Sequence, residues 1–185
     1  MQLGERLRLT LFGTSHGPRV GALLEGVPKG LRVDETAIAQ AMATRRPGGR
    51  YASKRKEQDC VEFLSGIVEG KTTGASIELS IENQDAKSKD YNFLPHHPRP
   101  GHQDMVMNLR TDGNADLRGG GSSSARLTAG LVAAAAIISP LLGDIQINAH
   151  VGAIGDIEAK PIETCPPEWE TELCKSLRCR DPLAA

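Results

Sequence analysis

Aromatic side chains make up only 3% of this 185-residue chain, with one tryptophan, two tyrosines and three phenylalanines. That scarcity argues against the stacking platforms that hold single-stranded nucleic acid. An excess of one charge is also missing. The 22 basic and 23 acidic side chains leave a formal net charge of −1, so no overall field gathers nucleic acid or an anionic membrane. The most apolar run, Leu127 to Leu142, is too short to span a bilayer and holds Pro140 near its end. The opening Met1-Gln2-Leu3-Gly4-Glu5 has neither the basic-then-apolar order of a secretory signal nor the Arg/Ser-rich character of a transit peptide. Cys60, Cys165, Cys174 and Cys179 form no CxxC pair and fit no usual zinc spacing. Reduced thiols, no metal site and a cytoplasmic setting are therefore expected.

Glycine and proline, at 20 and 11 residues, are plentiful and point to many tight turns and ligand-facing loops. The length predicts a single domain over residues 1–185 with a substantial core. Leu7, Leu9 and Leu11 alternate with Arg8 and Thr10, which predicts a strand over 6–12, and Val20–Leu24 reads as a second. Asp34 is placed to cap a helix over Glu35–Thr44, stopped by Pro47-Gly48-Gly49. Residues 60–68 and 75–82 read as strands joined through a turn at 69–74, with Ile77, Leu79 and Ile81 on a buried face and Glu78 and Ser80 on a wet one. Residues 83–117 read as a long polar loop, and Lys54-Arg55-Lys56-Glu57 as a mobile charged one. The best helix runs from Ser123 to about Ser139, followed by a strand over Ile145–Val151 and a polar tail. The fold class expected is α+β.

Chemistry concentrates in three segments. Gly13-Thr14-Ser15-His16-Gly17 and Arg99-Pro100-Gly101-His102-Gln103-Asp104 each set a histidine beside glycine and a polar neighbour. An unperturbed imidazole, titrating at about 6.5, can give up a proton near neutral pH. Arg118-Gly119-Gly120-Gly121-Ser122-Ser123-Ser124-Ala125-Arg126 places three glycines before a helix start, where unpaired N–H groups favour phosphate. It is not a Walker loop, since GxxxxGK[ST] is absent. Arg45, Arg46 and Arg50 flank Pro47-Gly48-Gly49, and guanidinium forks suit carboxylate or phosphate. A capped helix after a flexible loop, a solvated basic helix end and surface histidines are the plain structural alternatives. His96 and His97, in a proline-rich run, fall on that plain side. Two proton donors beside an arginine-lined anion cradle would suit proton-assisted loss of a phosphate.

Taken together, FGTSHG (12–17), GVPKGL (26–31), RRPGGRY (45–51), LSGIVEGKTTGASI (64–77), IENQDAKSKDY (81–91), RPGHQD (99–104) and RGGGSSSARLT (118–128) resemble chorismate synthase in order and spacing. The resemblance covers the N-terminal half of that family's chain, so a truncated form is expected. It implies half of a layered β-α-β sandwich, with helices between antiparallel sheets. It also implies a carbon–oxygen lyase that converts 5-enolpyruvylshikimate-3-phosphate to chorismate by 1,4-anti elimination of phosphate. Reduced FMN is the implied cofactor, NADPH the candidate reductant and a homotetramer the implied assembly. His16 resembles the histidine that assists departing phosphate, and His102 the one that protonates the reduced flavin. Ser15, Arg45, Arg50, Arg99 and Arg126 resemble the substrate-holding residues, while Ser122, Ser123 and Ser124 fall on the flavin-contacting stretch. Three positions depart from the family pattern. Thr14 stands where an acidic residue is usual, Ser122 where an arginine is, and Leu127 where a glutamate is. The competing reading is a non-catalytic fragment that binds flavin or a phosphorylated ligand at most, or a scaffold whose glycine loops are only structural.

Overall fold

Alternation of apolar and polar residues builds the sheet. The computed structural model describes residues 1–45, 57–84 and 88–185. These form two compact units, one running through Leu141 and the other Leu142–Ala185. The first unit contains β1 (Gln2–Leu3), β2 (Arg8–Gly13), β3 (Arg19–Glu25), α1 (Glu35–Arg45), β4 (Val61–Ser65), β5 (Ile67–Val68), β6 (Lys71–Thr72), β7 (Ile77–Glu82), α2 (Asp104–Arg110) and α3 (Thr128–Ile138). Its main sheet is antiparallel in the order β1-β2-β3-β7-β4, and β5 and β6 form a small hairpin.

The register puts Leu9 opposite Leu24, Ala22 opposite Leu79, Val20 opposite Ile81 and Leu24 opposite Ile77. Period-two geometry then sends all of these to one face. That face is the core, where it meets Ala129, Ala133, Ala134 and Ile137 of α3, with Ile38 and Met42 of α1 beside them. Each fully buried aliphatic side chain contributes about 1.5–3 kcal/mol. The expected wet face holds with one exception. Ser80 is buried, with Arg19 donating to its hydroxyl at 3.3 Å, and Arg19 also pairs with Glu62.

Asp34 caps α1 as its position predicts, its Oδ1 accepting from the amides of Thr36 and Ala37 at 2.9 and 3.0 Å. The alanine-rich helix starts later than Ser123. Residues Gly121–Ser123 and Ala125–Leu127 are short 3-10 turns, and Ser124 caps the second by accepting from the Arg126 amide. Serine thus tightens the chain before the α-helix begins. Leu127 is buried in the core, an environment suited to leucine. The stretch 83–117 is not wholly irregular either. It carries α2 and a 3-10 turn at Ser88–Tyr91, and the exposed Met105, Val106 and Leu109 gave α2 no inward apolar stripe to read.

The second unit has a hairpin of β8 (Ala153–Ile154) with β9 (Ile157–Glu158), and α4 (Glu172–Leu177). Thr171 caps α4 by accepting from the Cys174 amide at 3.0 Å. The strand expected over Ile145–Val151 does not form. Ile145 and Ile147 alternate as a strand would, yet both are exposed and find no ladder partner among the described residues. The four cysteines are all thiols.

A buried ion cluster ties three elements of the first unit. Asp59, whose side chain is fully buried, receives Arg45 at 2.7 Å and pairs with Arg126. Glu57 lies 3.7 Å from Arg126 and accepts from the Gln84 amide at 2.9 Å. Two cations thus meet two carboxylates. Asp59 adopts a left-handed backbone (φ 52°), which asparagine also tolerates, so Asp59→Asn isolates the charge. Removing one member of a buried cluster should cost about 3 kcal/mol or more, read as a lower midpoint in chemical denaturation.

α3 lies unusually close to β3. A Cβ on Gly130 would sit 2.8 Å from the Gly21 carbonyl oxygen and 3.3 Å from Ala22 Cβ. Gly130→Ala, which in an open helix gains about 1 kcal/mol, should here lose about 1–3 kcal/mol in the same assay.

Candidate active site

The turn after β2 is pinned on every side. Gly17 N donates to Thr14 O at 3.2 Å, and the Thr14 hydroxyl donates to Asp116 at 2.8 Å. Ser15 N reaches Gly121 O at 3.2 Å, which lays the histidine turn against the glycine-rich segment. Asn83, directly after β7, donates its side-chain amide to Thr14 O and Gly17 O.

The same contacts set the surroundings of the His16 ring. The buried Ser15 hydroxyl donates to Arg118 O at 3.1 Å and lies 3.2 Å from His16 Nδ1. Gly119, in a left-handed conformation (φ 66°), is what allows the imidazole its place. A Cβ there would lie 2.4 Å from His16 Cε1 and 2.7 Å from Ser15 Oγ.

His102 is held differently. Asp104, almost wholly buried, accepts from Arg99 Nε and Nη2, both at 2.7 Å, and its carboxylate lies 2.7 Å from His102 Nδ1, which is also 3.3 Å from Arg99 Nη2. Arg99 also donates its backbone amide to Asp104 at 3.0 Å. Hydrogen bonding from Arg99 holds the Asp104 carboxyl well below the usual carboxylate range, and Asp104 in turn raises Arg99. Asp104 thereby gathers Arg99 and the His102 ring at one point.

Tyr91 links the two histidine segments. Its ring meets His16 edge-on at 4.7 Å between centroids, and the Arg99 guanidinium lies 5.4 Å from its centroid. Arg118 grips Asp116 through Nε and Nη2 at 2.8 and 2.9 Å and donates to Ser88 Oγ at 3.0 Å, which anchors the turn leading to Tyr91.

The structure brings Ser15, His16, Arg99 and His102 together around Tyr91. Arg45 and Arg126 stand apart, in the ion cluster on Asp59. Arg126 is buried, with Nε on Asn83, Nη1 on Asp59 and Nη2 on Glu82 O. Ser122 and Ser123 are exposed, and Ser124 serves as a cap. Arg50 lies outside the described residues. Sequence reasoning passed over Tyr91 and Asn83, and took Asp104 only as a polar neighbour of His102. A rare aromatic in a polar stretch was the available signal for Tyr91, and an acid two residues after His102 the signal for Asp104. Nothing local marks Asn83.

Asp116 titrates at about 2 rather than 3.8, chiefly through hydrogen bonding from Arg118. A carboxyl depressed in the folded state stabilises fully above its unfolded value, and the benefit disappears as pH falls through the folded one. The chain should therefore lose stability between pH 3.8 and about 2. Asp116→Asn should flatten that part of an acid titration followed by circular dichroism.

A family model described as chorismate synthase matches residues 7–184. The chorismate synthase of Aeropyrum pernix is 47% identical over 186 aligned residues, covering 99% of this chain and 49% of that protein. That of Methanothermobacter thermautotrophicus is 42% identical, covering 98% and 49%. The chain thus spans about half the length of the curated relatives it matches. A solved structure titled as the crystal structure of chorismate synthase superposes with a TM-score of 0.59 at 30% identity, over 84% of this chain and 40% of that one. The motifs, the antiparallel α+β architecture and these matches agree, and the chain belongs to the chorismate synthase family.

Proposed function

We propose that this chain carries the proton-handling part of a chorismate synthase site, acting on 5-enolpyruvylshikimate-3-phosphate to release chorismate and phosphate. The observation that carries this reading is the pair of imidazoles set against fixed groups, His16 beside Ser15 and His102 beside Asp104 and Arg99. The elimination breaks a C–O bond, and the departing phosphate leaves more easily as it gains a proton or hydrogen bond. His16 supplies that proton, and Gly119 and Tyr91 hold the ring for it. His102, beside the Asp104 carboxylate, is the second proton donor. Arg99 is the substrate-holding arginine nearest both rings.

Reduced FMN is the cofactor of this reading and would supply electron density to the C–O cleavage when bound. The exposed hydroxyls of Ser122 and Ser123 would hold it by hydrogen bonding. Ser124 supports that turn from within. NADPH remains the candidate reductant, and a homotetramer in the cytoplasm the candidate setting. Arg45, Arg50 and Arg126 are assigned to the substrate by motif alone. Both compact units belong to one family domain in this reading, which the match over residues 7–184 supports.

Anaerobic turnover of 5-enolpyruvylshikimate-3-phosphate with chemically reduced FMN, following chorismate and phosphate together, tests the proposal. Equal release of the two products is expected, with His16→Ala and His102→Ala each lowering the rate by about 10²–10⁴-fold. Gly119→Ala should cost about 10²-fold while the fold survives, because the added methyl displaces the His16 ring. The half-length coverage favours one second reading, a non-catalytic piece that binds the ligand. A folded chain that binds substrate without turnover selects it.

A further inference from the structure

Asn83 makes three bonds to the backbone of the His16 turn. Its side-chain Nδ2 donates to Thr14 O at 3.0 Å and to Gly17 O at 2.8 Å, and its own backbone amide donates to Pro18 O at 2.9 Å. On the other side of the carboxamide, Oδ1 accepts from Arg126 Nε at 2.8 Å. Chemistry fixes this orientation, because carbonyl oxygens only accept and guanidinium N–H groups only donate. Turning the amide over would set acceptor against acceptor at the turn and donor against donor at Arg126.

Arg126 is in turn held rigidly. Nη2 donates to Glu82 O at 3.2 Å, beside the residue it orients, and Nη1 meets the fully buried Asp59. A chain of contacts therefore runs from a buried carboxylate through a guanidinium and a carboxamide to the backbone on both sides of His16. No member other than the turn itself touches the imidazole in the contacts described above.

We propose that Asn83 is a positioning residue for His16, its carboxamide aimed by Arg126 and Asp59 so that it clasps the turn carrying the imidazole. The proposal rests on His16 being the proton donor of the reading above. It assigns Asn83 the placing of that donor, and assigns Arg126 a role in aiming Asn83.

Asn83→Asp is the informative variant. It keeps an acceptor for Arg126 but replaces the donor to the turn with an oxygen that repels Thr14 O and Gly17 O. Asn83→Ala removes the clasp without adding charge. Amide hydrogen exchange and the His16 imidazole titration are followed by NMR in the full chain. We expect exchange at the Ser15 and Gly17 amides to quicken by about ten-fold or more in both variants, with a displaced His16 titration midpoint. The amides of Val20–Leu24 in β3 should keep their protection. Unchanged exchange at Ser15 and Gly17 with an unchanged His16 titration overturns the proposal. Opening of β3 together with the turn in both variants also overturns it, since Asn83 would then serve the fold in general. Titrating the unmodified chain with inorganic phosphate keeps the two readings apart. A His16 resonance that ignores phosphate counts against the proton-donor reading, while the exchange data still decide whether Asn83 clasps the turn.

Discussion

The contact between Asp59 and Arg126 is the constraint on which the first unit's functional end depends. Asp59 is out of water and in a left-handed conformation just before β4, while Arg126 occupies the turn that leads into α3. A carboxylate buried this deeply persists only when cations satisfy it, and Arg45 at the end of α1 supplies the second. Three elements distant in sequence are thereby brought to one point. Sheet packing alone would leave the entry to α3 able to slide. With the ion cluster formed, the glycine-rich segment has a defined exit, and the histidine turn has a fixed surface to dock on.

Close approach without side chains is the second device. Gly130 lets α3 settle against the backbone of β3, and Gly119 lets the His16 ring occupy space where any side chain would intrude. One glycine serves the core and the other makes room for the His16 ring. A methyl at either position would fall 2.4–2.8 Å from its nearest neighbour, in a densely packed interior where displaced atoms have little room to move.

Period-two alternation made β2, β3 and β7 legible in the sequence, and the Asp34 cap marked α1. Each of these signals is local and agrees with the way the element is buried. The Ile145–Ile147 alternation misled because a strand needs a neighbour, and pattern alone does not supply one. α2 was hidden since its apolar side chains face outward, and the onset of α3 was displaced by serines that cap a 3-10 turn. In the site, His16, His102, Ser15 and Arg99 could be picked out because glycine, proline and polar neighbours surround them. Asn83 and Asp59 could not, as their importance arises from partners 14 to 69 residues away.

The arginines suggest a strongly cationic pocket when counted along the chain, but each one described here already holds a carboxylate. Arg99 is matched by Asp104, Arg118 by Asp116, and Arg45 and Arg126 by Asp59. Among the described residues the region is thus close to neutral and rich in rigid donors. Recognition of an anion there would draw on oriented hydrogen bonds more than on bare attraction. Salt screens long-range attraction far more than short aligned contacts, so such a pocket would hold its ligand with little sensitivity to ionic strength.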